Sequence, residues 1–371
     1  MNESRKQGFP QDWEVNERRK FEEHMPVFDR NVLSFQKQTS VFDIFKEVGY
    51  AEGEKFKGWN LPGHGKPYVD CGEVKSKGCD KVKDHPSGKV FGRYYKRSCR
   101  RKQCPTCFEG WASSEALRAL IRMASFCLGT SEVRDVLETL KKSLWKEPKR
   151  AIYESMITAL QTRIDRYSRY KPIHVVLSPP QDIDVNGENY PRVRQRVYNL
   201  ARKHGLFGGA LIFHPYRLKC SNCGLAIPDY EQACSCGCSV FKLFWSPHFH
   251  AVGFGWLVDT KEGYSEHGWV IKNLGVRRSI YYTFQYLLSH AGVSSFHTVT
   301  WFGKLAYNVL RHVAVLGTIR ERCPFCGAVL CPLKWIGGID KPPPSYSEKD
   351  PYANDFLGDI SEWRVFMGIA Q

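Results

Sequence analysis

The alternation of hydrophobic and polar positions changes period several times along the chain. Residues 111–128, 131–145 and 149–168 carry apolar side chains at mixed spacings of three and four, the period of helices with one buried face. Ser131 stands where a cap would open the second of them. "IHVVLS" (173–178) is a continuous apolar run closed by Pro179 and Pro180, the pattern of a buried strand. "PRVRQRVYNLARKH" (191–204), with proline in its first turn and Gly205 behind it, predicts a helix with a basic face. "GGALIFHPYRL" (208–218) and the stretch holding "WSPHFHAVGFGWL" (245–257) predict strands, a further strand pair is expected around residues 252–274, and "VRRSIYYTFQYLLSHAG" (276–292) predicts a helix. This order implies an α+β fold: a central antiparallel sheet flanked by helices, with inserted zinc-binding lobes.

Within residues 245–257 the alternation has a chemical consequence. Side chains two apart on a strand share a face, so His248 and His250 converge while Phe249 points to the other side. Two imidazoles on one face suit a shared metal ion. A cysteine-rich insert at 219–240 sits where a hairpin would join this strand to residues 208–218, and pairing of the two strands brings His214 beside the first pair. The alternative is a set of core histidines, since twelve histidines in 371 residues fall at this spacing by chance as well.

Composition adds a partner and a second metal chemistry. An apolar content of 42% over 371 residues supports two or three domains. The first twenty residues lack the apolar run of a signal peptide and no segment reads as a membrane span, so a cytoplasmic location without membrane contact is expected. In a reducing compartment fourteen cysteines read as metal ligands. Cys99, Cys104 and Cys107 form a first cluster, completed by Cys71, with Cys79 and then His85 as alternatives. Cys220 and Cys223 form the first knuckle of a ribbon closed by Cys236 and Cys238, with Cys234 as the spare. Cys323, Cys326 and Cys331 form a third, whose fourth ligand must come from elsewhere, for instance His312. All three are read as structural zinc sites. The net charge of +16 points to a polyanion, and residues 71–104 alone hold eleven Lys/Arg against three Asp/Glu, with Phe91, Tyr94 and Tyr95 interleaved. Lys96, Arg97, Arg100, Arg101 and Lys102, with Arg192, Arg194 and Arg196 on the basic helix, are the candidate nucleic-acid contacts.

Taken in order, "IHVVLSPP", "PHFHAVGFG" and "YTFQYLLSH" resemble the three motifs of the HUH endonucleases, most closely the rolling-circle replication initiators of archaeal plasmids and viruses. The resemblance covers residues 171–303. It implies a catalytic Mg²⁺ or Mn²⁺ on His248, His250 and His214, with Tyr286 as the leading nucleophile and Tyr282, one turn earlier, as a second. Gln285 and His290 depart from the common form of the third motif, in which lysines often stand. The implied activity is the nicking and rejoining of single-stranded origin DNA through a 5′-phosphotyrosine. No phosphate-binding loop of helicase type occurs, so a helicase, like the polymerase, must be a separate protein. The domain expectation is an extension at 1–60, a basic zinc-binding lobe at 61–110, a helical connector at 111–170, the endonuclease core at 171–303 with its ribbon at 219–240, and a C-terminal region at 304–371 with a zinc knuckle and, over 338–371, a loosely attached tail. An HUH transposase and a non-catalytic zinc-ribbon DNA-binding protein are the rival readings.

Overall fold

The structure, a computed structural model, describes residues 58–227, 234–255, 267–311, 320–337, 346–347, 350 and 352–365. Strands β1 (Val74–Cys79) and β2 (Val90–Lys96) come first, followed by helices α1 (Phe108–Leu128), α2 (Thr130–Ser143) and α3 (Lys149–Tyr167). Next are β3 (Ile173–Ser178), α4 (Tyr190–Lys203), β4 (Leu206–Cys220), β5 (Ala226–Ile227), β6 (Phe241–Gly255), β7 (Val270–Val276), α5 (Ile280–Ser289) and β8 (Val299–Gly303). The described chain closes with β9 (Cys331–Trp335), β10 (Asp355–Gly358) and β11 (Trp363–Val365). The architecture is α+β, with two antiparallel sheets and five helices among the described residues.

The larger sheet runs β7-β3-β6-β4-β8, with β5 beside the outer half of β4. Its two faces follow from the strand period. Odd positions Val175, Leu177, Leu211, Phe213, Phe249 and Ala251 meet Val193, Val197 and Leu200 of α4. Even positions Ala210, Ile212, Val252 and Phe254 meet α1 and α5. Because β3 is covered on both sides, it reads as an unbroken apolar run rather than an alternation. Gly205, at φ +100°, ends α4 in the left-handed conformation that glycine adopts without penalty.

Three expectations are corrected. First, residues 111–170 are not a connector: Leu117, Leu120 and Met123 of α1 are fully buried in one core with Phe284, Leu287 and Leu288 of α5. Gly129, not Ser131, precedes α2. Second, the helix expected at 276–292 is shorter, because pairing of β7 with β3 consumes residues up to Val276 and the Ser279 side chain caps α5 by accepting from the Tyr282 N–H. β7 therefore lies beside β3, not β6. Third, residues 61–110 and 304–371 are not separate regions. Strands from both form the second sheet, in the order β10-β2-β1-β9-β11. Buried Arg93 of β2 grips the Asp355 carboxylate with two donors and reaches Glu321, which also pairs with Lys77. Trp363, expected in a loose tail, is 3% exposed.

If α1 belongs to the sheet's core, Leu120→Ala should destabilise the whole helix-and-sheet unit by about 2–5 kcal/mol. Urea unfolding followed by circular dichroism and by tryptophan fluorescence should shift together. A separate early helical transition, with the sheet signal unmoved, would restore the connector.

Candidate metal centre and tyrosine helix

The histidine site grows out of the register of β4 and β6. His214 stands directly opposite His248, and His250 opposite Ile212. All three are even positions, so their rings rise on the α5 face, and all are buried. Ring centroids lie 4.1 Å apart for His214 and His250, 5.0 Å for His248 and His250, and 5.3 Å for His214 and His248. One nitrogen from each falls within 4.8 Å of the others.

Hydrogen bonds set which nitrogens face inward. His214 donates from Nε2 to the Leu287 carbonyl at 2.9 Å, which leaves a lone pair on Nδ1. His248 donates from Nδ1 to the Ser246 carbonyl at 2.7 Å, which leaves Nε2. A carbonyl only accepts, so both tautomers are fixed. In His250, Nδ1 lies 2.6 Å from Nε2 of His174, so Nε2 faces inward. Nδ1 of His214 and Nε2 of His250 are buried without a hydrogen-bond partner. Buried polar atoms are rarely left so, and converging imidazole nitrogens held by outer hydrogen bonds are what a bound metal ion satisfies. Burial first, then the charge of neighbouring rings, pushes His214 and His250 well below the usual histidine range. His174 moves the same way through burial and the adjacent Arg277 guanidinium. The rings are neutral at pH 7, the form that binds metal.

Helix α5 is fastened to this centre at its C-terminal end. Leu287 accepts from His214, and the Gly292 N–H donates to the Phe213 carbonyl at 2.7 Å, one residue before the ligand. A Cβ on Gly292 would stand 2.9 Å from the Phe213 ring and 3.0 Å from Trp59, so only glycine permits this approach. The Tyr286 ring lies 5.0 Å from His290, whose ring is 4.1 Å from His214. Tyr282 is half-buried one turn earlier, about 6 Å further along the axis. Tyr281 is buried beside α1 and is the poorest placed of the three. His174 and Arg277 escaped the sequence reading. The signal for His174 was present: it shares the even face of β3, one strand from His250.

Two cysteine clusters fit structural zinc as four-thiolate sites. Cys71, Cys99, Cys104 and Cys107 converge, as do Cys220, Cys223, Cys234 and Cys236. Against burial, hydrogen bonds from the backbone and guanidinium of Arg101 bring the Cys99 thiol down to about 6. The Cys223 backbone N–H brings Cys220 to a similar value, about 6. Cys238 was expected as a ligand, but Cys234 rather than Cys238 converges with the other three. The turn closes by hydrogen bonds from Gly237 to Cys234 and from Cys234 to Cys238, which leaves the Cys238 sulfur against the Val240 backbone. Cys323 and Cys326 meet Cys79 and His85, not Cys331. Cys331 pairs with Gly78, so it points to the face opposite Cys79. His312 lies outside the described residues.

Of the eight candidate nucleic-acid contacts, five have partners within the chain. Arg97 pairs with Asp70, and Arg101 stacks 3.6 Å from the Tyr68 ring while donating to the Lys66 carbonyl. Lys102 is half-buried, donating to the Phe296 carbonyl and the Thr298 hydroxyl at 2.8 and 3.2 Å. The Lys96 ammonium lies over the Tyr346 ring and Arg194 over Tyr190, whereas Arg100, Arg192 and Arg196 are exposed. Arg192, Arg194 and Arg196 ride on α4, across the sheet from the histidines.

Cys234→Ser should remove one zinc per chain by elemental analysis and Cys238→Ser none; the reverse pattern would reinstate Cys238. The depressed histidines give a stability sign. An unfolded histidine titrates near about 6.5, so below that pH the unfolded chain binds protons that His174, His214 and His250 do not. Stability should hold above pH 6.5 and fall as acid is added, by the uptake of up to about three protons. Urea midpoints unchanged between pH 7.5 and 5.5 would contradict this. No family model, curated protein or solved structure matches the chain, so a functional reading rests on these residues alone.

Proposed function

We propose that this protein is a metal-dependent HUH-type endonuclease and strand transferase that nicks single-stranded DNA at a replication origin, with Tyr286 as the nucleophile. The observation that carries the reading is the pair of buried ring nitrogens without a hydrogen-bond partner, Nδ1 of His214 and Nε2 of His250, beside His248 and under the helix that bears Tyr286. A structural or core role for these histidines leaves those nitrogens unsatisfied.

A divalent ion on the three rings would supply positive charge to the phosphate that the DNA presents. His214, His248 and His250 would hold it, and His174 would orient His250. Mg²⁺ and Mn²⁺ are the ions the family resemblance implies. Three imidazoles without a carboxylate are a poor set for Mg²⁺, so Mn²⁺ is the better fit of the two. The Tyr286 hydroxyl oxygen attacks phosphorus, the bond to the 3′ oxygen breaks, and that oxygen leaves as a free 3′-hydroxyl after taking a proton. The 5′ phosphate stays on Tyr286, which keeps the ester available for rejoining. Tyr282, on the same side of the helix, serves as a second acceptor when the first bond is regenerated. The cell context is rolling-circle replication of a plasmid or virus in the cytoplasm, with helicase and polymerase supplied separately.

A transposase would use the same residues and differ only in the DNA ends it recognises. A non-catalytic zinc-ribbon binding protein is favoured by the net charge of +16 and the four-thiolate clusters, and it accounts for neither unpartnered ring nitrogen.

Incubation with labelled single-stranded DNA from its own replicon and Mn²⁺ should give a covalent adduct. Tyr286→Phe should reduce it by about 100-fold or more while binding survives, because phosphate affinity is spread over many cations. Tyr282→Phe should spare the first nick. DNA mapped to Tyr282 alone would reverse the assignment. Tight binding with no adduct in any divalent ion would hand the case to the binding module.

A further inference from the structure

We propose that Cys79, His85, Cys323 and Cys326 bind a zinc ion of their own, which locks the C-terminal strands onto the N-terminal pair. Neither half of this site is complete in sequence. Cys79 ends β1 and His85 lies between two short 3-10 turns, Val82–Asp84 and Pro86–Gly88, whereas Cys323 and Cys326 come from a knuckle more than two hundred residues later. The fold brings their four ligand atoms within 4.8 Å of one another. Cys79 Sγ lies 3.5 Å from Cys326 Sγ, and Cys323 Sγ lies 3.2 Å from Nε2 of His85.

Two further observations mark a built site. The His85 ring is buried, and its Nδ1 donates to the Lys89 carbonyl at 2.9 Å, which fixes the tautomer with a lone pair on Nε2. The knuckle also closes on itself, with Gly327, at φ +72°, donating to the Cys323 carbonyl at 2.9 Å. This is how a C-x-x-C-Gly turn aims two sulfurs at one ion. Three thiolates and one imidazole at these spacings suit tetrahedral zinc.

The position gives the ion its purpose. Among the described residues, the core at this end of the sheet holds Cys79, Phe91, Cys323 and Leu330 as buried members, beside a second small core of Val90, Tyr94, Leu333 and Trp363, which is little apolar surface to hold two distant segments together. β9 pairs with β1 over just Ser76, Lys77 and Gly78. The zinc sits at the end of that short ladder. It therefore acts as the clamp of the second sheet, independently of the histidine centre.

The test compares zinc content and protease sensitivity of the reduced full-length protein. His85→Asn and Cys79→Ser should each lower the content by one zinc per chain relative to wild type. They should also speed release of the C-terminal segment under limited trypsin at least several-fold, with DNA adduct formation by Tyr286 as a separate readout. His85→Cys should restore both zinc and protection, which guards against a variant that merely misfolds. Cys331→Ser should keep the full zinc content. Unchanged zinc in His85→Asn and Cys79→Ser, or loss of zinc in Cys331→Ser, would overturn the proposal whether or not the protein nicks DNA.

Discussion

The cross-strand pair of His214 and His248 depends on one constraint, the register of β4 against β6. A slip of one residue would turn His214 toward α4 and leave His248 and His250 facing apolar neighbours. The register is held from both ends. On the core side, Phe213 and Phe249 interlock on the α4 face with ring centroids 4.9 Å apart. On the outer side, the four-thiolate ribbon clamps the tip where β4 ends at Cys220 and β6 begins at Phe241. The ribbon is therefore part of the histidine centre's support, although it touches none of its rings.

The same strand also sets the tyrosine. His214 is bonded to the Leu287 carbonyl of α5, and its predecessor Phe213 to the Gly292 N–H, so the histidine and the helix are joined by two hydrogen bonds. Metal binding would then stiffen the end of α5, and the tyrosine four residues N-terminal to His290 would be held near the ion. Such coupling suits chemistry in which a displaced nucleophile costs rate steeply. The basic residues contribute differently from their appearance in sequence. Arg101 supports the first thiolate cluster, Lys102 ties that lobe to Thr298, and Arg93 anchors the second sheet through Asp355. Much of the local positive charge is structural.

What could be read from the sequence was whatever depends on local period. β3 was expected at the bounds it has, the β4–β6 pairing followed from the hairpin insert, and the convergence of His248, His250 and His214 followed from strand alternation. What escaped depends on chain closure. Nothing near Cys323 announces that its partners are Cys79 and His85, because the whole helical and sheet core lies between β1 and β9 in sequence. Cys238 misled for a local reason: three cysteines alternate, and only the backbone turn through Gly237 decides which two face the ion. α1 looked like a connector because its apolar face has no sequence label naming α5 as its partner.

The central claim is that three imidazoles form a metal centre beneath the tyrosine helix. Crystals soaked in Mn²⁺ and measured at the manganese absorption edge test it directly. The expected result is one anomalous peak bonded to Nδ1 of His214 and Nε2 of His248 and His250, lost in His250→Ala crystals. Three ordered histidines with no peak at saturating Mn²⁺, or a peak ligated elsewhere, would contradict the account.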